Sequence, residues 1–131
     1  MVASTFQFSN PSLLKISFRI NEGFAKEEKK EINIEVKSEV EIAPGTEENQ
    51  AVVVLKLLIG AENDSAPFFI HAEEGALFRW DSEKVDEQHK EKLLKQNAPA
   101  LLLSYLRPTI SMITSASPFE SYNIPFMNFT V

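Results

Sequence analysis

The last 36 residues of the chain, from Gln96 to Val131, carry only two charged side chains, Arg107 and Glu120. The same stretch holds Met112, Phe119, Tyr122, Phe126, Met127 and Phe129. A segment so poor in charge and so rich in large apolar groups must pack into a core or bind something. The remainder of the 131 residues supplies solubility, with 13 Lys+Arg against 19 Asp+Glu and a formal charge of -6. That balance argues against nucleic acid as a partner, because binding to a phosphate backbone rests on clustered cations.

The length suits one domain spanning 1–131, able to bury roughly two thirds of its unfolded surface without staples. There is no Cys, so disulfides and thiolate zinc sites are excluded. The opening MVASTFQFSNPSLLK has neither a basic nor a continuous apolar region, so no signal peptide is expected and the expected compartment is the cytoplasm. Two glycosylation sequons, at Asn63 and Asn128, then read as chance matches. The stretch from Ala98 to Ser117 is interrupted by Arg107, Pro108 and several hydroxyl residues, so membrane insertion is not expected.

Upstream of the tail the pattern is that of strands. Leu14, Ile16, Phe18 and Ile20 alternate with polar residues, as do Ile32, Ile34, Val36, Val40 and Ile42 against Asn33, Glu35, Lys37, Glu39 and Glu41. Between them GFAKEEKK, with Phe24 as a stranded aromatic, is long enough for a crossing as well as a hairpin. Pro44-Gly45 marks a turn, and the apolar run Val52 to Ile59 predicts a central strand covered on both faces. Phe68 to Trp80 resumes extended structure, with a bulge predicted at Glu74-Gly75. The fold class is therefore α+β, a four-stranded antiparallel sheet packed with one short and one long C-terminal helix.

Asp81 or Ser82 is a candidate cap for the charge-rich short helix, and Asn97-Ala98-Pro99 predicts a break before the long one, with Asn97 as its cap. On a helical wheel Leu102, Leu106, Ile110 and Ile113 form one stripe, and Leu101, Tyr105, Met112 and Ala116 the next. Ser104, Arg107, Ser111, Thr114 and Ser115 share the polar arc. A sheet needs only the first stripe, so the second is expected to face another subunit, the C-terminal segment or a client. Pro108, on the polar side, costs about 3 kcal/mol, against roughly 6 to 12 kcal/mol from burying four Leu and Ile side chains. The helix should therefore kink and not break.

Catalytic motifs are missing: no P-loop, GxGxxG, GxSxG or HExxH occurs. His71 with Glu73, and Asp86 with His89, have the spacing of metal-ligand pairs, but each lacks a third partner in sequence and reads as solvated side chains. No metal and no cofactor is expected.

The run Ala98-Pro99-Ala100-Leu101-Leu102-Leu103-Ser104-Tyr105-Leu106-Arg107, followed by Ile110, Phe119, Asn123 and Asn128-Phe129, resembles the bacterial protein-export chaperone family SecB. The correspondence is gapless from Ala98 to Phe129, and the strand pattern extends it to about residue 12. Departures are Ser104 and Phe126 for prolines, Pro108 for an acidic residue and Ser117 for the glycine that ends the helix. The resemblance implies an ATP-independent holdase, not an enzyme, that binds unfolded polypeptides or preproteins in apolar grooves and assembles as a homotetramer of paired dimers. By motif position it implies Tyr105, Phe119 and Phe129 as groove residues. Composition adds Phe24, Met112, Tyr122, Phe126 and Met127, since aromatic and Met side chains adapt to many sequences. SecA is one expected partner. An aggregation-prone antitoxin is the alternative, because export members carry, beyond the position of Val131, another helix and an acidic tail that touches SecA. An alternative of another class is a small-ligand enzyme resembling hot-dog thioesterases, which would require an acidic residue or His in a closed cavity against the helix.

Overall fold

The computed structural model describes residues 4–24 and 33–129. Its strands are β1 (Phe6–Phe8), β2 (Ser12–Ile20), β3 (Val36–Pro44), β4 (Gln50–Gly60) and β5 (Phe68–Trp80). Helix α1 (Glu87–Lys92) runs through a π-turn (Leu93–Asn97) into α2 (Ala98–Ser115). All pairings are antiparallel, in the order β1-β5-β4-β3, with β2 also on β5. β1 pairs with the Phe78–Trp80 end of β5 and β2 with the Phe68–Gly75 end. The two thus occupy one edge position, interrupted around Asn10-Pro11, where proline cannot donate to a ladder. The expected four-stranded sheet is present with its first strand split.

β2 and β3 lie on opposite edges, so the connection that begins at Asn21 crosses the sheet and does not form a hairpin. Ile32 and the charge cluster Lys26 to Lys30 lie outside the described residues.

The core lies between the sheet and α2. Val53, Leu55, Leu57 and Ile59 of β4 and Phe68, Ile70, Ala72 and Phe78 of β5 meet Leu102, Leu106 and Ile110, all essentially water-free. At roughly 25 cal/mol per Å² of apolar surface, burying such side chains is worth about 1.5 to 3 kcal/mol each.

Several sequence expectations need correction. The β4–β5 register is continuous from Gln50↔Arg79 to Gly60↔Phe69, so Glu74-Gly75 is not a bulge. Phe68, Ile70, Ala72, Ala76, Phe78 and Trp80 already share one parity, which a bulge would break. The irregularity sits instead on β2, between Leu13 and Lys15. It leaves Leu14 beside Gly75 and Val54 on the outer face, out of step with Ile16 and Ile20. β4 is covered on one face only in the single chain, since Val52 and Leu58 are exposed. Pro44 ends β3, and the turn begins after it.

The helical region differs too. The cap of α1 is Asp86, whose Oδ1 accepts from the His89 backbone N–H at 2.7 Å. Asp81 instead closes a turn before the helix, accepting from Glu83 N–H at 3.0 Å. Asn97 is helical and makes no side-chain cap. No break occurs there, because the Ala98 N–H bonds to the carbonyl of Leu93, five residues back. This wider turn relieves the clash that the Pro99 ring would make with the carbonyl of residue 95 in a regular helix. α2 passes Pro108 unbroken.

Candidate functional site

Beyond α2 the chain reverses and runs back along the helix. Ser117 Oγ donates to Thr114 O at 2.6 Å and accepts from Phe119 N–H at 3.1 Å, which closes the reversal. Tyr122 N–H then donates to Thr114 Oγ1 at 2.8 Å, Ser121 Oγ donates to Ser111 O at 3.1 Å, and Arg107 Nε donates to Ile124 O at 3.0 Å. Ile124 is the segment's fully buried anchor. Thr114, Ser111 and Arg107 all belong to the polar arc of the wheel, so that arc receives the segment. An irregular segment has backbone N–H and C=O groups outside any ladder, and where it packs on the helix, away from water, polar side chains must satisfy them. Thr114, placed on the wet arc by the wheel, is accordingly fully buried, while Ile113 is only half-buried.

The returning segment forms one wall of an apolar cavity of about 400 Å³. Pro118, Phe119 and Tyr122 line it on that side, and Phe24, Ile34, Pro67 and Phe68 line it on the other. The Phe24 and Phe119 rings meet edge to face at 5.9 Å, and Phe68 and Tyr122 do so at 6.0 Å. Glu120 and Ser121 add polar groups to the lining. Burial pushes the Tyr122 hydroxyl above its ordinary pKa, so it stays a neutral donor and acceptor.

Of the eight candidate residues, Phe24, Phe119 and Tyr122 come together here. Met127 and Phe129 are half-buried and pack against the core cluster farther along the segment. Phe126 is 92% exposed. Tyr105 does not line this cavity; it is 41% exposed and meets Phe8 of β1 edge to face at 6.5 Å. Met112, seven residues on, is 72% exposed. On the helix side of β2, Leu13, Ile16 and Ile20 are exposed as well, so the β1/β2 edge and the second stripe of α2 leave apolar surface uncovered.

The ionisable pairs have structural roles. His71 Nε2 and Glu73 Oε2 lie 2.7 Å apart on the sheet face opposite the helix, near the 2.7 Å Lys56–Glu41 bridge. Asp86 serves the His89 backbone and not its ring. Among the described residues no group of three or more His, Asp or Glu side chains is arranged to hold a metal ion. No described helix is long and apolar enough to cross a membrane. Sequence reasoning missed Glu74, which lies on the helix-facing side, 5% exposed, with its carboxyl raised by desolvation. It missed Asn21, Thr114 and Arg107 as partners of irregular backbone, for which a side chain's identity alone gives no periodic signal.

Comparison with known proteins places this geometry. The family model described as SecB, preprotein translocase subunit SecB, matches residues 8–131. An uncharacterized protein of Methanocaldococcus jannaschii, MJ0357, is 27% identical over 124 residues, covering 93% of this chain and 78% of that protein. Among solved structures, the Mycobacterium tuberculosis Rv1957 SecB-like chaperone in complex with a ChAD peptide from the Rv1956 HigA1 antitoxin superposes with a TM-score of 0.72. It is 15% identical, over 95% of this chain and 88% of that one. A Streptococcus agalactiae protein of unknown function superposes with a TM-score of 0.57 at 15% identity, over 95% of this chain and all of that one.

Proposed function

This chain belongs to the SecB family, and from that premise we propose that it is a chaperone that holds unfolded polypeptides without ATP. The observation that carries the reading is the cavity between two irregular segments, walled by Phe24, Phe119 and Tyr122. Aromatic rings on irregular chain adapt to differing apolar side chains, and Glu120, Ser121 and the neutral Tyr122 hydroxyl supply hydrogen-bond partners for an extended client's backbone. Met127, Phe129 and Phe126 extend the apolar surface along the C-terminal segment. No step of this function makes or breaks a covalent bond, so no catalytic residue, metal or cofactor is assigned, and the whole chain acts as one SecB-like domain in the cytoplasm.

The uncovered Tyr105 and Met112 stripe, with Leu13, Ile16 and Ile20 of β2, is the surface we assign to contacts between copies in a homotetramer. Two cellular roles fit the same groove. One is protein export, with preprotein clients and SecA as partner, which the family description favours. The other is protection of an antitoxin, favoured by the peptide in the mycobacterial relative. The hot-dog enzyme reading is less favoured, since His71 and Glu73 face away from the helix, the buried Glu74 does not line the groove, and Glu120, which does, is exposed to solvent.

The test is aggregation of a refolding client with and without stoichiometric protein, in the absence of nucleotide. Suppression is expected. Unchanged aggregation, with the assembly intact, would sink the proposal. Co-purification with preproteins and SecA, or with one antitoxin, separates the two roles.

A further inference from the structure

Apart from Phe68 at the start of β5, both walls of the groove are irregular chain, and each needs a fixed support. Thr114 and Arg107 support the C-terminal wall. The opposite wall converges on Asn21, the residue that directly follows β2 and is 6% exposed. Its Nδ2 lies 2.7 Å from Ala61 O, 2.8 Å from Asn63 O and 3.0 Å from Ala66 O. Its backbone N–H donates to Pro67 O at 3.0 Å, and its carbonyl accepts from Phe24 N–H at 3.0 Å. One residue therefore bonds to both Phe24 and Pro67, groove residues from two separate loops. The Arg19 guanidinium donates to Glu62 O at 2.9 Å and braces the same turn from the strand side.

The chemistry of the clasp is specific. A primary amide offers two N–H bonds that three converging carbonyls can share. A serine offers one, and an aspartate would set a carboxylate against three oxygens. The strands on either side are held by their own ladders, β2 and β4 both paired to β5, and the clasp lies beyond these ladders. Its loss should disturb the loops before the sheet.

We infer that Asn21 is a positioning residue for client binding. Its amide ties the 61–67 turn to the start of the crossing and so sets the gap across which Phe24 faces Phe119. The inference rests on the reading of the cavity as the client site, and its test keeps the two apart. The probe is fluorescein-labelled lactalbumin, reduced and carboxymethylated so that it stays unfolded, with binding read by anisotropy on the intact assembly. Asn21→Ser and Asn21→Asp are each expected to weaken binding about tenfold. The decisive measurement is a double-mutant cycle. In a Phe24→Ala background Asn21→Ser should add little, whereas in a Met112→Ala background its full effect should remain. If the unsubstituted protein fails to bind the probe, the client reading itself falls, and this inference with it. If it binds and Asn21→Ser binds within about twofold, or the Phe24 cycle is fully additive, the positioning role alone is overturned. Failure of both Asn21 variants to fold overturns it as well, since Asn21 would then be a determinant of the fold.

Discussion

Thr114→Val isolates what attaches the C-terminal wall of the groove. The Thr114 hydroxyl is fully buried, donates to Ile110 O at 2.8 Å, and accepts from the Tyr122 N–H at 2.8 Å. Valine keeps the shape and removes the acceptor, so the Tyr122 N–H loses its partner. An unpaired buried donor costs about 1 to 3 kcal/mol, and the half-buried setting of Tyr122 puts the expectation toward the lower end. The lost donation to Ile110 O costs less, because that carbonyl remains in the helical ladder. Thr114→Ser does the reverse: it keeps the hydroxyl and deletes a methyl, at about 0.8 kcal/mol plus a small cavity. The two substitutions cost similar amounts globally, so an unfolding midpoint does not distinguish them. Hydrogen exchange at the Tyr122 amide does. Valine should lower its protection about fivefold to 150-fold, the factor that 1 to 3 kcal/mol implies, while serine should leave it near that of the unsubstituted protein. Valine should also weaken client binding, since Tyr122 and Phe119 share that wall. If the Tyr122 amide stays protected with valine and is lost with serine, the attachment depends on methyl packing and the hydrogen-bond argument is wrong.

Other consequences are sharper in sign than in size. Glu74→Gln should raise the melting temperature near neutral pH and lose that advantage in acid. The desolvated carboxyl holds its proton more tightly folded than unfolded, so stability is full below the ordinary range around 4.5 and declines as pH rises through the raised value; an equal gain at both pH values would count against this. Gly60 has φ +87 and a Cβ there would strike the Phe68 carbonyl oxygen, so Gly60→Ala should cost roughly 1 to 3 kcal/mol in urea unfolding. Gly75→Ala should cost less, because the nearest atom is the movable tip of the exposed Leu14. Phe119→Ala should weaken probe binding without changing the oligomer, and Met112→Lys should do the opposite, as sedimentation will reveal.

How much of this was legible follows from where water lies. The alternation of Val36, Val40 and Ile42 with Lys37, Glu39 and Glu41 is readable because one face of β3 is wet. The apolar run of β4, broken only by Lys56, is readable as a central strand, but nothing in it distinguishes a face covered within the chain from one left open, so the exposure of Val52 and Leu58 is not legible there. At Asn97-Pro99 a cap residue and a proline both signal a helix boundary, yet the π-turn accommodates Pro99 without a break and leaves Asn97 helical and uncapping. Of the aromatic wall residues, Phe24 and Tyr122 stand out by composition and Phe119 by its motif position. Their supports do not, because Asn21 and Thr114 act on backbone carbonyls and amides that any residue would present.

The charge-poor tail thus divides by hydrogen-bonding need and not by hydrophobicity alone. Had the returning segment covered the Tyr105 and Met112 stripe, its backbone groups would have faced apolar side chains at about 1 to 3 kcal/mol for each one left unpaired. Because it lies on the arc of Arg107, Ser111 and Thr114, its Ile124 carbonyl and Tyr122 N–H find Arg107 and Thr114 at 3.0 and 2.8 Å, the Ser121 hydroxyl reaches Ser111 O at 3.1 Å, and Ile124 fills the core behind it. The same choice leaves two apolar surfaces on separate sides of the chain. One lies between the segment and the crossing, bounded by loops and suited to varied guests. The other, on the rigid helix and the β1/β2 edge, is fixed in shape, which suits a constant partner such as another copy of the same chain.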